Sequence, residues 1–231
     1  MSLDGCGIVF PPTVVFPRLD SLRLSPSGVT ANPAGSALQS FPLIRHLAIN
    51  EIWIPEDPPV EPVFTNAFLA QLETFEGSYV DWNRGRRAGE RIVPLDAPPP
   101  SLPILWRHTV RQQDGTIFST SPTPYGEHLL FIQDPHSPRW EDFYIAVRRI
   151  IERNDHSRLR LRLVLVAGTI WRRPETSMPE LEEIEALEGD CERRGIALRT
   201  CGLPSEGAVP EFVEFLREEK ARTAAAAAAR S

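Results

Sequence analysis

The chain has 231 residues, 42% hydrophobic and 24% charged, close to globular averages, so wholesale disorder is excluded. That length suits one domain of moderate size or a short repeat array with a real core. A formal net charge of -6 argues against a general affinity for nucleic acid or an anionic membrane surface.

Cys6, Cys191 and Cys201 form no C-x-x-C pair, so neither a disulfide framework nor a zinc site is indicated. Pro11, Pro12 and Pro17 interrupt the apolar stretch Ile8 to Phe16, which also lacks the basic start of a signal peptide. No run of roughly 18 apolar residues, as a spanning helix needs, occurs. The expectation is a soluble intracellular protein, cytoplasmic or nuclear, without a cofactor. The 23 prolines crowd into residues 1 to 140, which read as short strands on rigid, irregular connections.

Taken in order, residues 1 to 15 are apolar and need a hydrophobic neighbour, either as a cap on the first repeat or as the continuation of an upstream segment. Leu19 to Leu24 alternates, placing Leu22 and Leu24 on one strand face and Arg23 on the other. Phe41 to Ile54, FPLIRHLAINEIWI, repeats the L-x-x-L-x-L spacing, and Phe-Pro precedes both strands, at Phe16-Pro17 and Phe41-Pro42. Leu72 to Gly77 carries a worn copy. The middle apolar positions Leu22, Leu47 and Phe75 lie 25 and then 28 residues apart, within the roughly 20 to 29 of leucine-rich repeats. Thr65 is a candidate N-cap for a short helix ending near Gln71. Asn83 to Gly89 and Pro98-Pro99-Pro100 form the least regular stretch, after which Leu102 to Val110 and Thr116 to Thr120 read as strands about the Asp114-Gly115 turn.

From Glu127 the order becomes strand, helix, strand, helix, strand, helix. Glu127 to Gln133 reads as a buried strand. Ser137 and Pro138 open a helix whose apolar face is Trp140, Phe143, Val147, Ile150 and Ile151. Leu159 to Val166 reads as a central strand. Ser177 and Glu180 form a capping box for a helix lined by Leu181, Ile184, Leu187 and Cys191 and closed by Gly195. Ile196 to Thr200 is the last strand and Val209 to Arg222 the last helix. Ala224 to Ala229 can extend that helix but buries no face and should fray. Strands separated by helices of this length pair in parallel.

These repeats, with the closing phrase Leu181 to Leu198 and its Cys191-Glu192-Arg193-Arg194-Gly195-Ile196, give a chain that resembles the leucine-rich-repeat region of fungal F-box-like proteins. The resemblance covers most of residues 16 to 220 and implies a protein-recognition surface, as in the substrate-recognition part of a ubiquitin-ligase receptor. Two departures limit it. The helical F-box segment that docks the ligase adaptor in that family has no counterpart here, and Ser27 and Ile52 stand where typical repeats place asparagine or cysteine. Adaptor binding is therefore assigned to no residue.

The expected fold is α/β: an irregular leucine-rich-repeat-like solenoid with a parallel sheet, helices on the outer face, and more regular βαβ units in the C-terminal half. It spans residues 1–222 as one domain, irregular and proline-rich over 1–125 and regular over 126–222, with 223–231 as an Ala-rich tail. The expected function is non-enzymatic binding of a protein partner on the strand face, with no nucleic acid or membrane involved. Arg158, Arg160 and Arg162, alternating with leucines, are the candidate contacts on that face, and Trp82 with Arg84, Arg86 and Arg87 is a second candidate group. Against each stands an ordinary solvated strand face or basic loop. The alternatives are a small α/β enzyme with Asp134 and His136 at strand ends, and a truncated or degenerate product. His46, His108, His128, His136 and His156 show no metal-ligand spacing and read as surface or loop residues.

Overall fold

The computed structural model describes residues 2–4, 8–9, 14–25, 27–30, 40–49, 52–53, 64–78, 99, 101–113, 116–119, 126–133, 140–154, 160–167, 178–202 and 209–230. Among the described residues the strands are β1 (Ser2–Asp4), β2 (Ile8–Val9), β3 (Ser21–Ser25), β4 (Ser27–Thr30), β5 (His46–Ile49), β6 (Ile52–Trp53), β7 (Thr74–Ser78), β8 (Ile104–Gln113), β9 (Thr116–Ser119), β10 (His128–Gln133), β11 (Leu163–Ala167) and β12 (Ala197–Cys201). The helices are α1 (Asn66–Ala70), α2 (Trp140–Asn154), α3 (Met178–Arg194) and α4 (Pro210–Ala228).

Among the described residues, eight strands of a nine-stranded open sheet are joined by seven parallel ladders in the order β1-β3-β5-β7-β8-β10-β11-β12, so along this path each strand is laid down beside the one before it. A second, three-stranded parallel set, β2-β4-β6, follows the same progression one step later in each passage of chain. Within the stretch Phe41 to Ile54, His46–Ile49 and Ile52–Trp53 are thus short strands in different sheets. β9 pairs antiparallel with the far half of β8, a hairpin that departs from the otherwise parallel expectation.

The register places the evenly spaced apolar positions in one row. Leu22 pairs with Leu47, Leu47 with Phe75 and Phe75 with Ile104. Each apolar row is closed by a similar turn, from Leu19 N–H to Phe16 C=O, Ile44 N–H to Phe41 C=O and Leu72 N–H to Leu69 C=O. The two Phe-Pro phenylalanines stack, ring centroids 5.3 Å apart. Phe64, Phe68 and Leu69 bring α1 onto the same cluster, and Thr65 caps that helix by accepting from Phe68 N–H. On this face the core continues through Trp106, Leu129, Phe131, Val164 and Val166 beneath α2 and α3. A Cβ at Gly126 would lie 2.2 Å from the Trp106 ring, so this close approach requires glycine. α3 ends as its sequence suggests, with Gly195 at φ +67° and Ile196 N–H bonded to Cys191 C=O.

The opposite face differs from expectation in two ways. Arg23, on the polar side of the alternation, is buried at 1% exposure and meets Glu76 in a two-pronged ion pair of 2.8 and 3.2 Å, reaching across the small Ala48 of the strand between them. Further along, α4 lies on that face, with Val209, Phe212 and Phe215 against Leu105, Leu130, Leu163, Leu165, Ala167 and Cys201. Helices therefore cover both faces of the C-terminal half, which corrects the expectation that they occupy the outer face alone. The cause is apolar surface on both partners: α4 has Phe212 and Phe215 to bury, and the wholly apolar β11 offers a second hydrophobic side. The Ala-rich segment continues α4 as far as Ala228, fully exposed.

Replacing Glu76 with alanine leaves a buried guanidinium without its carboxylate and should cost about 3 to 5 kcal/mol in denaturant unfolding, whereas the double change Arg23→Met with Glu76→Leu should recover most of the loss. Equal instability in the single and double variants would show that the pair is not what holds this face.

Candidate functional site

The N-terminal edge of the sheet repeats one backbone device. The carbonyl of the residue entering one strand accepts two N–H groups from the start of the next: Asp20 from Arg45 and His46, Arg45 from Glu73 and Thr74, Glu127 from Arg162 and Leu163. Arg162 C=O in turn accepts from Ala197 N–H at 2.9 Å. The side chains at these entry positions, Asp20, Arg45, Glu73, Glu127 and Arg162, therefore stand along one edge. Neighbours of opposite charge pair there, Arg45 with Glu73 at 3.2 Å and Arg162 with Glu127 at 3.5 Å.

Arg160 and Arg162 consequently do not line an exposed strand face. β11 begins only at Leu163, so both precede it and project from the edge, which corrects their expected position. The alternation of leucine with arginine is real, but the leucine it protects, Leu161, packs under α2 and α3 before the strand starts. α4 then runs back to this edge and brings Glu219 and Arg222. Arg162 bonds Glu219 at 2.5 Å, Arg222 approaches the same carboxylate at 3.3 Å, and Arg160 donates to the Arg194 carbonyl at the end of α3. Together they form a notch of about 300 Å³ lined by Arg160, Arg162, Gly195, Phe215, Glu219 and Arg222. Arg162, Arg222 and Arg230 line a neighbouring hollow along α4. Three guanidinium groups stand here against two carboxylates, Arg162 pairing with Glu127 and Glu219 and Arg222 with Glu219, so the notch keeps positive charge on a chain whose total is negative.

The other candidates, Arg158, Trp82, Arg84, Arg86, Arg87, Asp134 and His136, lie outside the described residues. Among the described residues no cluster of three or more His, Cys, Asp or Glu could hold a metal ion, and no helix is long and apolar enough to cross a membrane.

Two histidines depart from the surface reading. His108 is fully buried beside Phe131, with ring centroids 5.4 Å apart, and His128 is buried between β10 and α4, against Phe212 at 5.1 Å and Phe215 at 5.8 Å. The His128 Nδ1 lies 3.2 Å from the Ile104 carbonyl, which makes Nδ1 the protonated nitrogen and leaves Nε2 facing the aromatic rings. Burial lowers both imidazoles to about 4 from the ordinary 6.5. Sequence reasoning missed them, although His128 alternates in phase with Leu130, a cue that its side chain shares the α4 face. Burial likewise raises Cys191 and Cys201 to about 12, so neither thiol is a nucleophile near neutrality.

No family model matches the chain, and no curated protein or solved structure does either.

The histidines set a pH dependence. Between 6.5 and about 4 the unfolded chain takes up protons that the folded chain refuses at both sites, so stability is greatest above that window and falls on acidification by about 1.4 kcal/mol per pH unit for each histidine. Urea unfolding at pH 7.5, 6 and 5 measures the slope, and His128→Asn should lower it by the share of one residue. A slope unchanged in that variant contradicts the buried neutral imidazole.

Proposed function

We propose that this chain is a non-enzymatic, leucine-rich-repeat-like binding protein, a solenoid whose service is recognition of a protein partner, as in the substrate-recognition part of an F-box-type ubiquitin-ligase receptor. The observation that carries the reading is the order of the main sheet, in which, β9 aside, each strand is added beside the one before it in that sheet and the apolar positions Leu22, Leu47 and Phe75 fall in one row. Parallel addition in sequence order is how a repeat array grows, each passage of chain burying its leucines against the next. Recurrence of the edge hydrogen-bond device from β3 to β12 supports the same reading in the regular half.

The binding residues within this proposal are Arg160, Arg162 and Arg222. α4 occupies the strand face of the C-terminal half, which leaves the edge notch as the place where partly exposed arginines converge. Guanidinium groups there suit an acidic segment of the partner, since planar forks grip carboxylates in pairs.

Affinity capture with the full chain should retain a partner bearing an acidic segment, with retention falling as salt is raised. The exposed Arg160→Glu, alone and with Arg162→Glu, should release it by about tenfold or more. Capture of nothing by the wild type, or equal retention by the variants, would overturn the assignment.

A further inference from the structure

The last strand of the sheet carries a second surface. Every residue of β11 is buried, whereas three residues of β12 are half-exposed and one, Thr200, is exposed. The difference is that β12 ends the sheet, with no strand beyond it among the described residues. Ala197 N–H points inward to the Arg162 carbonyl, so the alternation of the pleat turns the N–H and C=O of Leu198 and Thr200 outward. The Ile196 N–H also points outward, but it is already bonded by the Cys191 carbonyl at the end of α3. The free backbone is thus confined to the middle of the strand.

α3 and α4, on opposite faces of the sheet, make the sides of this edge. The result is a groove of about 640 Å³, floored by Ile196, Leu198 and Thr200 and walled by Glu188 and Glu192 from α3 and by Glu211 and Glu214 from α4. Four glutamates stand there against one arginine, Arg199, which is itself held by Glu218 at 2.5 Å and lies over the Phe215 ring. The neighbouring arginines Arg193 and Arg199 pair with Asp190 and Glu218 rather than with Glu192, Glu211 or Glu214. Unpaired strand edges are templates for another strand, and proteins normally blunt them with lysine or proline or cover them. Here the edge is neither covered nor blunted among the described residues, and its rim is acidic.

We propose that this groove binds an extended, lysine- or arginine-rich segment of a partner protein, which adds to β12 as a further strand while its basic side chains meet the glutamates on either wall. Backbone pairing supplies the attachment and alternate side chains the selectivity, the usual division of labour in strand addition. Charge selects the occupant. A second copy pairing β12 with β12 about a two-fold axis would bring both sets of glutamates together, and like charges so placed oppose association. An acidic or neutral strand would leave the walls unneutralised. This surface is distinct from the arginine notch, and its occupancy does not depend on whether that notch binds anything.

The test uses the full chain and a fluorescein-labelled octapeptide of alternating lysine and valine, followed by anisotropy. Saturable binding is expected, weakening with salt, with slowed hydrogen exchange at the Leu198 and Thr200 amides. The matching glutamate-valine peptide should not bind. Glu211→Lys with Glu214→Lys, both on the surface of α4, should weaken binding about tenfold, and N-methylation of alternate peptide amides should do the same. Arg160→Glu should leave it unchanged, which separates this result from any failure at the notch. Absence of saturable binding overturns the proposal. So does equal binding of the N-methylated peptide, which would mean charge attraction without strand pairing. Sedimentation showing self-association that Glu211→Lys abolishes would assign the groove to a second copy and overturn it as well.

Discussion

The register that sets Leu22 beside Leu47 and Leu47 beside Phe75 is the constraint on which the rest of the molecule depends. Side chains alternate with a period of two along a strand, so a slip of one residue in any ladder would carry every leucine to the face occupied by Arg23 and Glu76. Two independent demands forbid the slip. The apolar row must reach the cluster built by Phe41, Phe64, Phe68 and Leu72, and the Arg23 guanidinium must find the Glu76 carboxylate two strands away. Burial alone makes such a pair a weak stabiliser, because desolvation offsets most of the attraction. Its effect on alternatives is larger, since a shifted ladder would bury each charge without the other. Ala48 enters the same account: between those strands only a small side chain lets the two charged groups meet above it.

Much of the main sheet was legible from the sequence and its second face was not. The spacing of Leu22, Leu47 and Phe75 gave away the rows because leucine and phenylalanine at a fixed offset signal burial without needing a partner to be named. The helices α2 and α3 were legible for a similar reason, as Phe143, Val147, Ile150 and Ile151 recur with helical period and Gly195 can close a helix where other residues cannot. Arg23 and His128 were not legible. A polar residue on an alternating strand reads as solvent-facing, and only knowledge of what lies two strands away or on α4 reverses that. α4 itself was recognised as a helix, but the sheet face it would choose depends on where β12 leaves the chain.

The same limit explains the displacement of the arginine site. Arg158, Arg160 and Arg162 alternate with leucine as a strand would, so strand character extended over them in the sequence. Hydrogen bonding instead starts β11 at Leu163, because the entry residue spends its carbonyl on the next strand and its side chain on the edge. A charged residue at each entry position then makes chemical sense. The edge is exposed, the neighbouring charges are 3.2 and 3.5 Å apart where they pair, and exposed pairs of this kind contribute little to stability. Their value lies in the local charge they set, which among the described residues of this edge is in excess on the positive side where Arg160, Arg162 and Arg222 stand against Glu127 and Glu219.

Where such a molecule can meet a partner depends on the surfaces its helices leave open. A sheet covered on one side offers its bare face, and the repeat reading anticipated that arrangement. Once α4 turns back across the C-terminal half, the face beneath Phe212 and Phe215 is spent, and the rim stays open there among the described residues. The rim is not uniform. Its N-terminal side presents side chains at the entry positions, so a partner there would be read by charge while the backbone stays bonded. Its β12 side presents, among the described residues, unpaired backbone between two acidic walls, so the proposed recognition there would be by main-chain pairing with charge as the filter. If both proposed surfaces bind, covering the second face with α4 moves recognition from a broad surface to two narrow ones of opposite sign, and a partner that read both would have to carry its acidic and basic stretches on separate segments.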